Sequence, residues 1–275
     1  MVISYIIVSY NTVNLTVQAI DSIIAKCKDC EIIVVDNNSC DGTVEVITKK
    51  YEDNELVTLI KSGGNVGFSI ANNLGARRAK GDFYVFINPD TVCIEDIGNK
   101  LYEVYMERFF DKDVILSPQI LNPDYTNQHC MNLFPVITLR TAYDKLVKIL
   151  NRNKIRKSDW ITGVSLSMTK STFIKLGGWN EKYDLYSEDM DLCYRLRKLK
   201  GASYVVRDVK LIHYGNQSGK QVYNSEYKSE QKKLNSLRKF YELYYDDKKF
   251  TRYIKFLSLF DKNGYKRRYI KENNL

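Results

Sequence analysis

The chain has 275 residues, 44% of them hydrophobic and 27% charged, and a net charge of +9. That is the profile of one large globular domain, or one domain with an appendage, long enough to bury a substantial core. No apolar run approaches the roughly 20 residues of a membrane span, and the N-terminal MVISYIIVSYN, lacking a basic n-region and a small-residue cleavage site, reads as a first strand and not a signal peptide.

The first part of the chain alternates. Ile3–Ser9 is an apolar strand, and Leu15–Lys26 places Ile20, Ile23, Ile24 and Cys27 at helical spacing. Glu31–Val35 is a continuous buried strand followed by Asp36. A helix over Thr43–Tyr51, a strand over Leu56–Ile60, a helix over Ser69–Ala79 and a strand over Phe83–Ile87 follow. Next come a helix over Ile94–Phe110 and a short strand at Val114–Leu116. Residues 118–158 are less regular, with a basic stretch at Asn151–Lys157. Trp160–Gly163 leads into the strand VSLSM, and Ser171–Leu176 is a short helix closed by Gly177 and Gly178. Ser187 can cap a helix that holds Glu188 and Asp189 in its first turn and ends at Gly201. Tyr204–Val206 and Lys210–Ile212 read as strands, ending at His213 and Tyr214. Beyond Gly219 the pattern is helical and basic. Residues 220–275 hold 15 Lys and Arg against 7 Asp and Glu, nearly all of the net surplus.

Alternating elements with continuous apolar strands predict an α/β fold. Its sheet is mainly parallel, with helices on both faces. In such sheets ligands bind beyond the carboxyl ends of the strands. Three polar clusters fall there: Ser9-Tyr10-Asn11, Asp36-Asn37-Asn38-Ser39 and Asn88-Pro89-Asp90. Asp90 beside an amide suits a hard cation such as Mg²⁺ or Mn²⁺, or forms a simple Asx-Pro turn. His213, one of two histidines, is a second ligand if it meets Asp90, and a structural histidine otherwise. Glu188 and Asp189 either complement a helix dipole or supply a general base. Six cysteines without a secretory signal point to reduced thiols in a cytosol. Cys27 and Cys30 have CxxC spacing but no second pair, so a zinc site is not expected. Neither a dinucleotide fingerprint nor a Walker-type phosphate loop is present.

Taken together, VSYN (8–11), VVDNNSCDGT (34–43), NVGFSIANNLG (65–75), GDFYVFINPDT (81–91), WITG (160–163), GGWNEKYDLYSEDMDLCYRLRKLKG (177–201) and HYGNQS (213–218) resemble the family 2 glycosyltransferases of GT-A fold. The closest likeness is to the branch with bacterial rhamnosyltransferases and galactofuranosyltransferases. The resemblance covers residues 1–218. It implies a GT-A domain with a nucleotide-binding half (1–117) and an acceptor half (118–218); composition alone reads 219–275 as a helical basic extension. It implies that Ser9, Tyr10, Asn11, Asp36, Asn38, Asn65, Gly67, Asn73, Asn88, Pro89 and Asp90 serve the donor, with Asp36 on a pyrimidine base. Asp90 and His213 would hold Mn²⁺ or Mg²⁺, with Asn88 replacing the first Asp of the usual Asp-X-Asp motif. Asp189 would be the catalytic base. Trp160, Gly163, Gly177, Gly178, Trp179 and Glu188 would shape the acceptor site.

The implied reaction is an inverting transfer from a UDP- or dTDP-sugar to a hydroxyl of a glycan or lipid-linked acceptor, in the synthesis of a bacterial surface polysaccharide or glycoprotein glycan. The competing readings are a sugar-nucleotide hydrolase or nucleotidyltransferase, and a non-catalytic nucleotide-binding module. The basic tail packs on the domain, forms a homodimer, lies on an anionic membrane or is a solvated face. A nucleic-acid partner is not expected, because amide and acidic clusters line the ligand edge. The expected location is the cytoplasm, with a peripheral place on the inner face of the membrane as the alternative.

Overall fold

Every residue of Ile3–Ser9 is buried, as a strand covered on both faces requires. This strand, β1, lies at the heart of the structure, a computed structural model that describes residues 2–27, 29–135, 153–215 and 226–275. In chain order the first half runs β1, α1 (Val13–Lys26), β2 (Cys30–Asp36), α2 (Thr43–Lys50), β3 (Val57–Lys61), α3 (Phe68–Arg78) and β4 (Phe83–Ile87). The four strands are parallel, ordered β3-β2-β1-β4. Their carboxyl ends therefore lie on one edge, which brings the three polar clusters into line. Adjacent strands stand about 4.8 Å apart.

Past β4 the sheet changes character. The chain continues through β5 (Thr91–Cys93), α4 (Ile97–Arg108), β6 (Val114–Leu121), β7 (Met131–Asn132), β8 (Ile155–Ser158), β9 (Trp160–Ile161), β10 (Ser165–Thr169), α5 (Lys170–Lys175), α6 (Glu188–Lys198) and β11 (Ala202–His213). β10 enters antiparallel between β4 and β6, and β11 runs parallel to β6. β5 and β8 both pair antiparallel with β11, completing a nine-stranded, mostly parallel sheet, while β7 and β9 form a separate pair.

Four local expectations are corrected. β6 runs on to Leu121 through Pro118, which the sequence reading excluded from the strand. Pro118 pairs with Val206 where the register of β11 shifts between Val206 and Lys210, and a missing N–H is tolerated at such an irregularity. The two strands expected over 204–212 are thus one strand with a bulge. The helix expected from Ile94 starts at Ile97, because the Asp96 carboxylate accepts the Asn99 N–H at 3.2 Å. Ser187 does not cap α6 with its side chain: it sits at φ 65° with no such bond, beside Tyr186 at φ 72°.

The tail from residue 226 folds as α7 (Glu226–Tyr244), α8 (Asp247–Ser258) and α9 (Tyr265–Glu272); the stretch 216–225, with Gly219, lies outside the described residues. Phe240, Phe250, Ile254 and Tyr269 are fully buried and join the main hydrophobic core. Rings of Phe134, Tyr194, Phe240 and Tyr244 meet edge-on or tilted where α7 packs against α6. No helix among the described residues is long and apolar enough to cross a membrane.

Candidate active site

The ends of β1 and β2 form one wall. Asp36 closes β2 opposite Ser9 and is 3% exposed. Its Oδ2 accepts the Ser39 N–H at 3.2 Å, and its Oδ1 is buried without a partner. A carboxylate oxygen hidden from water and unpaired carries a cost that a ligand N–H would remove. Ser9 is fully buried, its hydroxyl shared with Thr12 and Thr16, so it supports the wall from behind. Asn11, in a left-handed turn, binds the 39–40 backbone: its Oδ1 accepts the Cys40 N–H at 2.8 Å, and its own N–H goes to the Ser39 hydroxyl. Tyr10 is half-buried beside it and Asn38 is exposed.

Asn37, which the sequence places in the second polar cluster without a role of its own, does the joining. Its amide donates to Asn65 Oδ1 at 3.0 Å, and its carbonyl accepts the Val66 N–H at 2.9 Å. This folds the 62–67 loop over the end of β2. Gly67 heads α3 against the Asp184 backbone. Asn73, expected at the donor pocket, lies further along α3 with its amide engaged elsewhere. Its Oδ1 accepts the Trp179 N–H and its Nδ2 donates to the Trp179 carbonyl, both at 2.9 Å, and to Glu181. It fastens the 178–181 loop to α3.

The β4 tip forms the second feature. Asn88 donates its N–H to the Val164 carbonyl at 2.9 Å and its carbonyl accepts the Thr91 hydroxyl, so Asn88-Pro89-Asp90 is a tight turn. It returns as β5 alongside β11, pairing Thr91 with His213. That pairing sets His213 Nε2 3.2 Å from Asp90 Oδ1. His213 Nδ1 meets Gln128 Oε1 at 2.7 Å. An amide oxygen only accepts, so Nδ1 donates to Gln128 and the ring is oriented; Nε2 then faces Asp90, placed to donate to it from a charged ring or to give its lone pair to a cation held between the two. Both residues are at least nine-tenths buried. Among the described residues no group of three His, Cys, Asp or Glu could hold a metal. A hard carboxylate and an oriented imidazole nevertheless fit an ion such as Mn²⁺ or Mg²⁺ that takes its other ligands from a diphosphate and water. Gln128 lies in the irregular 118–158 stretch, and no local signal marks it.

Asp189 forms the third feature. Its Oδ2 accepts the Gly163 N–H at 2.8 Å and its Oδ1 accepts the Met190 N–H at 2.7 Å. A Cβ at position 163 would lie 3.3 Å from Asp189 Cβ, a close approach that glycine accommodates. Burial pushes the Asp189 carboxyl above its ordinary range, against the pull of these two N–H groups. Burial, then the Asp189 charge, pushes Glu188 up too, and Glu188 Oε2 is buried without a partner. The 163–164 segment joins the second and third features: Gly163 holds Asp189 and Val164 holds Asn88.

Of the other residues expected on the acceptor side, Gly178 and Trp179 are beneath the surface, Trp160 is half-buried and Gly177 is exposed. Trp179 is 1% exposed, with the rings of Phe68 and Phe86 edge-on to it, so it is a core residue and not an open platform. Trp160 is half-buried and donates to the Leu133 carbonyl. Gly177 and Gly178 terminate α5 through their N–H groups. At φ 75° Gly178 also lies where a Cβ would fall 2.8 Å from Asn73 Oδ1.

Asp191 was not anticipated. It is fully buried, pairs with Arg195 at 2.7 Å, and accepts from Asn180 at 3.0 Å and the Tyr244 hydroxyl at 2.7 Å. The i,i+4 spacing of Asp191 and Arg195 was the available signal. α7 adds Lys232 to Asp184 at 2.9 Å, Ser236 to the Tyr186 carbonyl and Lys239 to the Lys182 carbonyl. The tail thus braces the loop that leads into Asp189.

The family model described as "Glycosyl transferase family 2" matches residues 4–150. Rhamnosyltransferase WbbL of Escherichia coli is 25% identical over 244 residues, covering 81% of this chain and 87% of the relative. The N-acetylglucosaminyl-diphospho-decaprenol L-rhamnosyltransferase of Mycobacterium tuberculosis is 25% identical over 66% of each chain. A low-salt glycan biosynthesis hexosyltransferase of Haloferax volcanii is also 25% identical, but the match spans 53% of its length. Among solved structures, GalNAc-T7 with UDP, GalNAc and Mn²⁺ aligns at TM-score 0.61 and 16% identity, over 78% of this chain and 44% of that one. A mannosyltransferase from Pyrobaculum calidifontis with GDP-Man and Mn²⁺ aligns at TM-score 0.59 and 18% identity, over 86% and 61%. These structural likenesses confirm the GT-A fold.

Proposed function

The chain belongs to glycosyl transferase family 2, and from that premise we propose that it transfers a sugar, with inversion, from a UDP- or dTDP-sugar to a hydroxyl of a glycan or lipid-linked acceptor. The observation that supports this reading is the shared 163–164 segment: Gly163 bonds Asp189, and the next residue, Val164, bonds Asn88 at the turn that carries Asp90, the partner of His213. A transfer needs such an arrangement: one place for leaving-group charge and, close by, one base.

Asp36 Oδ1, buried and unpaired, is suited to accept the imide N–H of a uracil or thymine ring. Asp90 and His213 would hold a divalent ion, which neutralises charge on the departing diphosphate. Asp189 accepts the proton of the acceptor hydroxyl. The hydroxyl oxygen forms its bond to the anomeric carbon as the bond to the diphosphate breaks on the opposite face. A carboxylate raised toward neutrality is a stronger base than an ordinary one and is still ionised when needed. The backbone N–H groups of Gly163 and Met190 fix both oxygens, so the base is oriented before the acceptor arrives. The unpaired Glu188 oxygen offers a second acceptor for a sugar hydroxyl.

A lipid-linked acceptor is supported by the name of the Mycobacterium tuberculosis relative, a transferase to a diphospho-decaprenol. The test is product analysis with UDP- and dTDP-sugars, a glycan acceptor panel and Mn²⁺. The reading expects a new glycosidic bond of inverted configuration. Release of free sugar alone, in the presence of a bound acceptor, would identify a hydrolase instead.

A further inference from the structure

We propose that the α8–α9 turn of the C-terminal extension docks the protein on an anionic lipid bilayer. α8 has two apolar faces. One carries Phe250 and Ile254, both fully buried against the rest of the extension and the core. The other carries Phe256, 44% exposed, and continues into the turn with Leu259 and Phe260, 74% and 70% exposed. The rings of Phe256 and Phe260 meet edge-on at 5.5 Å, so they present one surface. Burial in the fold accounts for the first face and leaves the second unexplained.

The charges around this second face point to its partner. Arg252, Lys255, Lys262 and Arg267 are exposed. Arg252 is one helical turn from Phe256, and Lys255 is one turn from Leu259. Arg267 reaches the Ser258 carbonyl at 3.5 Å, which holds it at the same end of the hairpin. The acids of the extension are engaged elsewhere. Asp247 pairs with Arg238, Asp246 with Lys249 and Glu272 with Arg268. Asp261, next to Phe260, is buried and turned inward onto the Lys266 N–H at 2.7 Å. The apolar tip is thus rimmed by cations.

A second copy of the chain is a poor partner for such a face, because self-association through it would bring two sets of cations together. A bilayer with anionic headgroups complements both parts: apolar side chains enter the acyl boundary while Lys and Arg stay among the headgroups. This inference rests on the patch and not on the transferase reading.

The test is co-sedimentation of the full chain, without nucleotide or sugar, with two kinds of vesicle. One is phosphatidylcholine alone; the other is phosphatidylcholine and phosphatidylglycerol in equal parts. The protein is expected to sediment with the mixed vesicles at low salt, less so at high salt, and not with phosphatidylcholine alone. The combined variant Phe256→Ser, Leu259→Ser, Phe260→Ser is expected to lose at least about tenfold in partitioning. The combined variant Arg252→Gln, Lys255→Gln, Lys262→Gln, Arg267→Gln is expected to lose most of its binding to the mixed vesicles, and the fraction that remains should no longer depend on salt. Both alter exposed side chains, so circular dichroism should match the parent. Absence of binding to mixed vesicles by the folded parent would overturn the proposal. So would undiminished binding by the apolar variant, or a dimer in sedimentation velocity that the apolar variant abolishes while vesicle binding is absent.

Discussion

The two halves of the site are built differently. On the donor side, Asp36 and the Asn88–Asp90 turn each follow directly from a buried parallel strand, and the sheet places them on one edge. On the acceptor side nothing is placed by its own strand or helix alone. Asp189 is held by Gly163 and Asp191 by Tyr244, contacts spanning 26 and 53 residues. Strand ends define a binding edge cheaply in sequence terms. A base with a tuned environment needs partners from several segments, including the tail.

The sharpest break of this comparison is at the base. Asp189→Asn keeps the shape of the side chain but leaves an acceptor for only one of the Gly163 and Met190 N–H groups, and it removes the proton acceptor. Turnover should fall by about 10²–10⁴-fold, with donor affinity unchanged by calorimetry. A loss of donor binding of similar size would show that the two sides are not separable.

Next in size is the metal pair. Gln128→Ala frees the imidazole to adopt the other tautomer or rotate, and should weaken metal-dependent donor binding by about 10–100-fold. His213→Ala should do at least as much, whereas neither change should alter the melting temperature by more than a few degrees. Metal titration of donor binding measures both.

The third prediction concerns the brace. Tyr244→Phe removes one of the bonds to the buried Asp191 and should cost about 1 kcal/mol of stability, read from chemical denaturation. It should lower turnover more than donor affinity, because the Tyr244 hydroxyl reaches Asp191, two residues past Asp189 on the same helix. Equal losses in both would contradict the division drawn here.

The smallest effect is on pH dependence. Burial raises both Glu188 and Asp189 above the ordinary carboxylate range. The folded state therefore binds these protons more tightly than the unfolded chain. Their contribution to stability is full below the ordinary carboxylate range and is lost as pH rises through the elevated values. Glu188→Gln should flatten that decline, visible in denaturation midpoints measured from acid to mildly alkaline pH. Turnover runs the other way, rising with pH as Asp189 ionises.

The sequence showed the first half of the fold well, because buried parallel strands are continuous apolar runs bounded by turn residues. It showed Asp36, Asp90 and Asp189 as candidates for the same reason: each stands where an element begins or ends. It did not show Gln128, and showed Asn37 only as one member of a polar cluster, since an amide in a loop carries no periodic signal and its role depends on what the fold brings beside it. It did not show that Asn73 holds the 178–181 loop and that Trp179 fills the core, because both roles rest on partners about a hundred residues apart in the chain. Pro118 hid the length of β6, because the bulge in β11 that accommodates it lies about ninety residues away.

The central claim is that the Asp90–His213 pair and the unpaired Asp36 oxygen form a metal-dependent donor site. Calorimetric titration with a panel of UDP- and dTDP-sugars, in Mn²⁺ or Mg²⁺ and again with the ion chelated, tests it most directly. Binding of a pyrimidine nucleotide sugar that disappears on chelation is the predicted result. Equal binding with and without the ion, or none by the folded protein in its presence, would contradict the account.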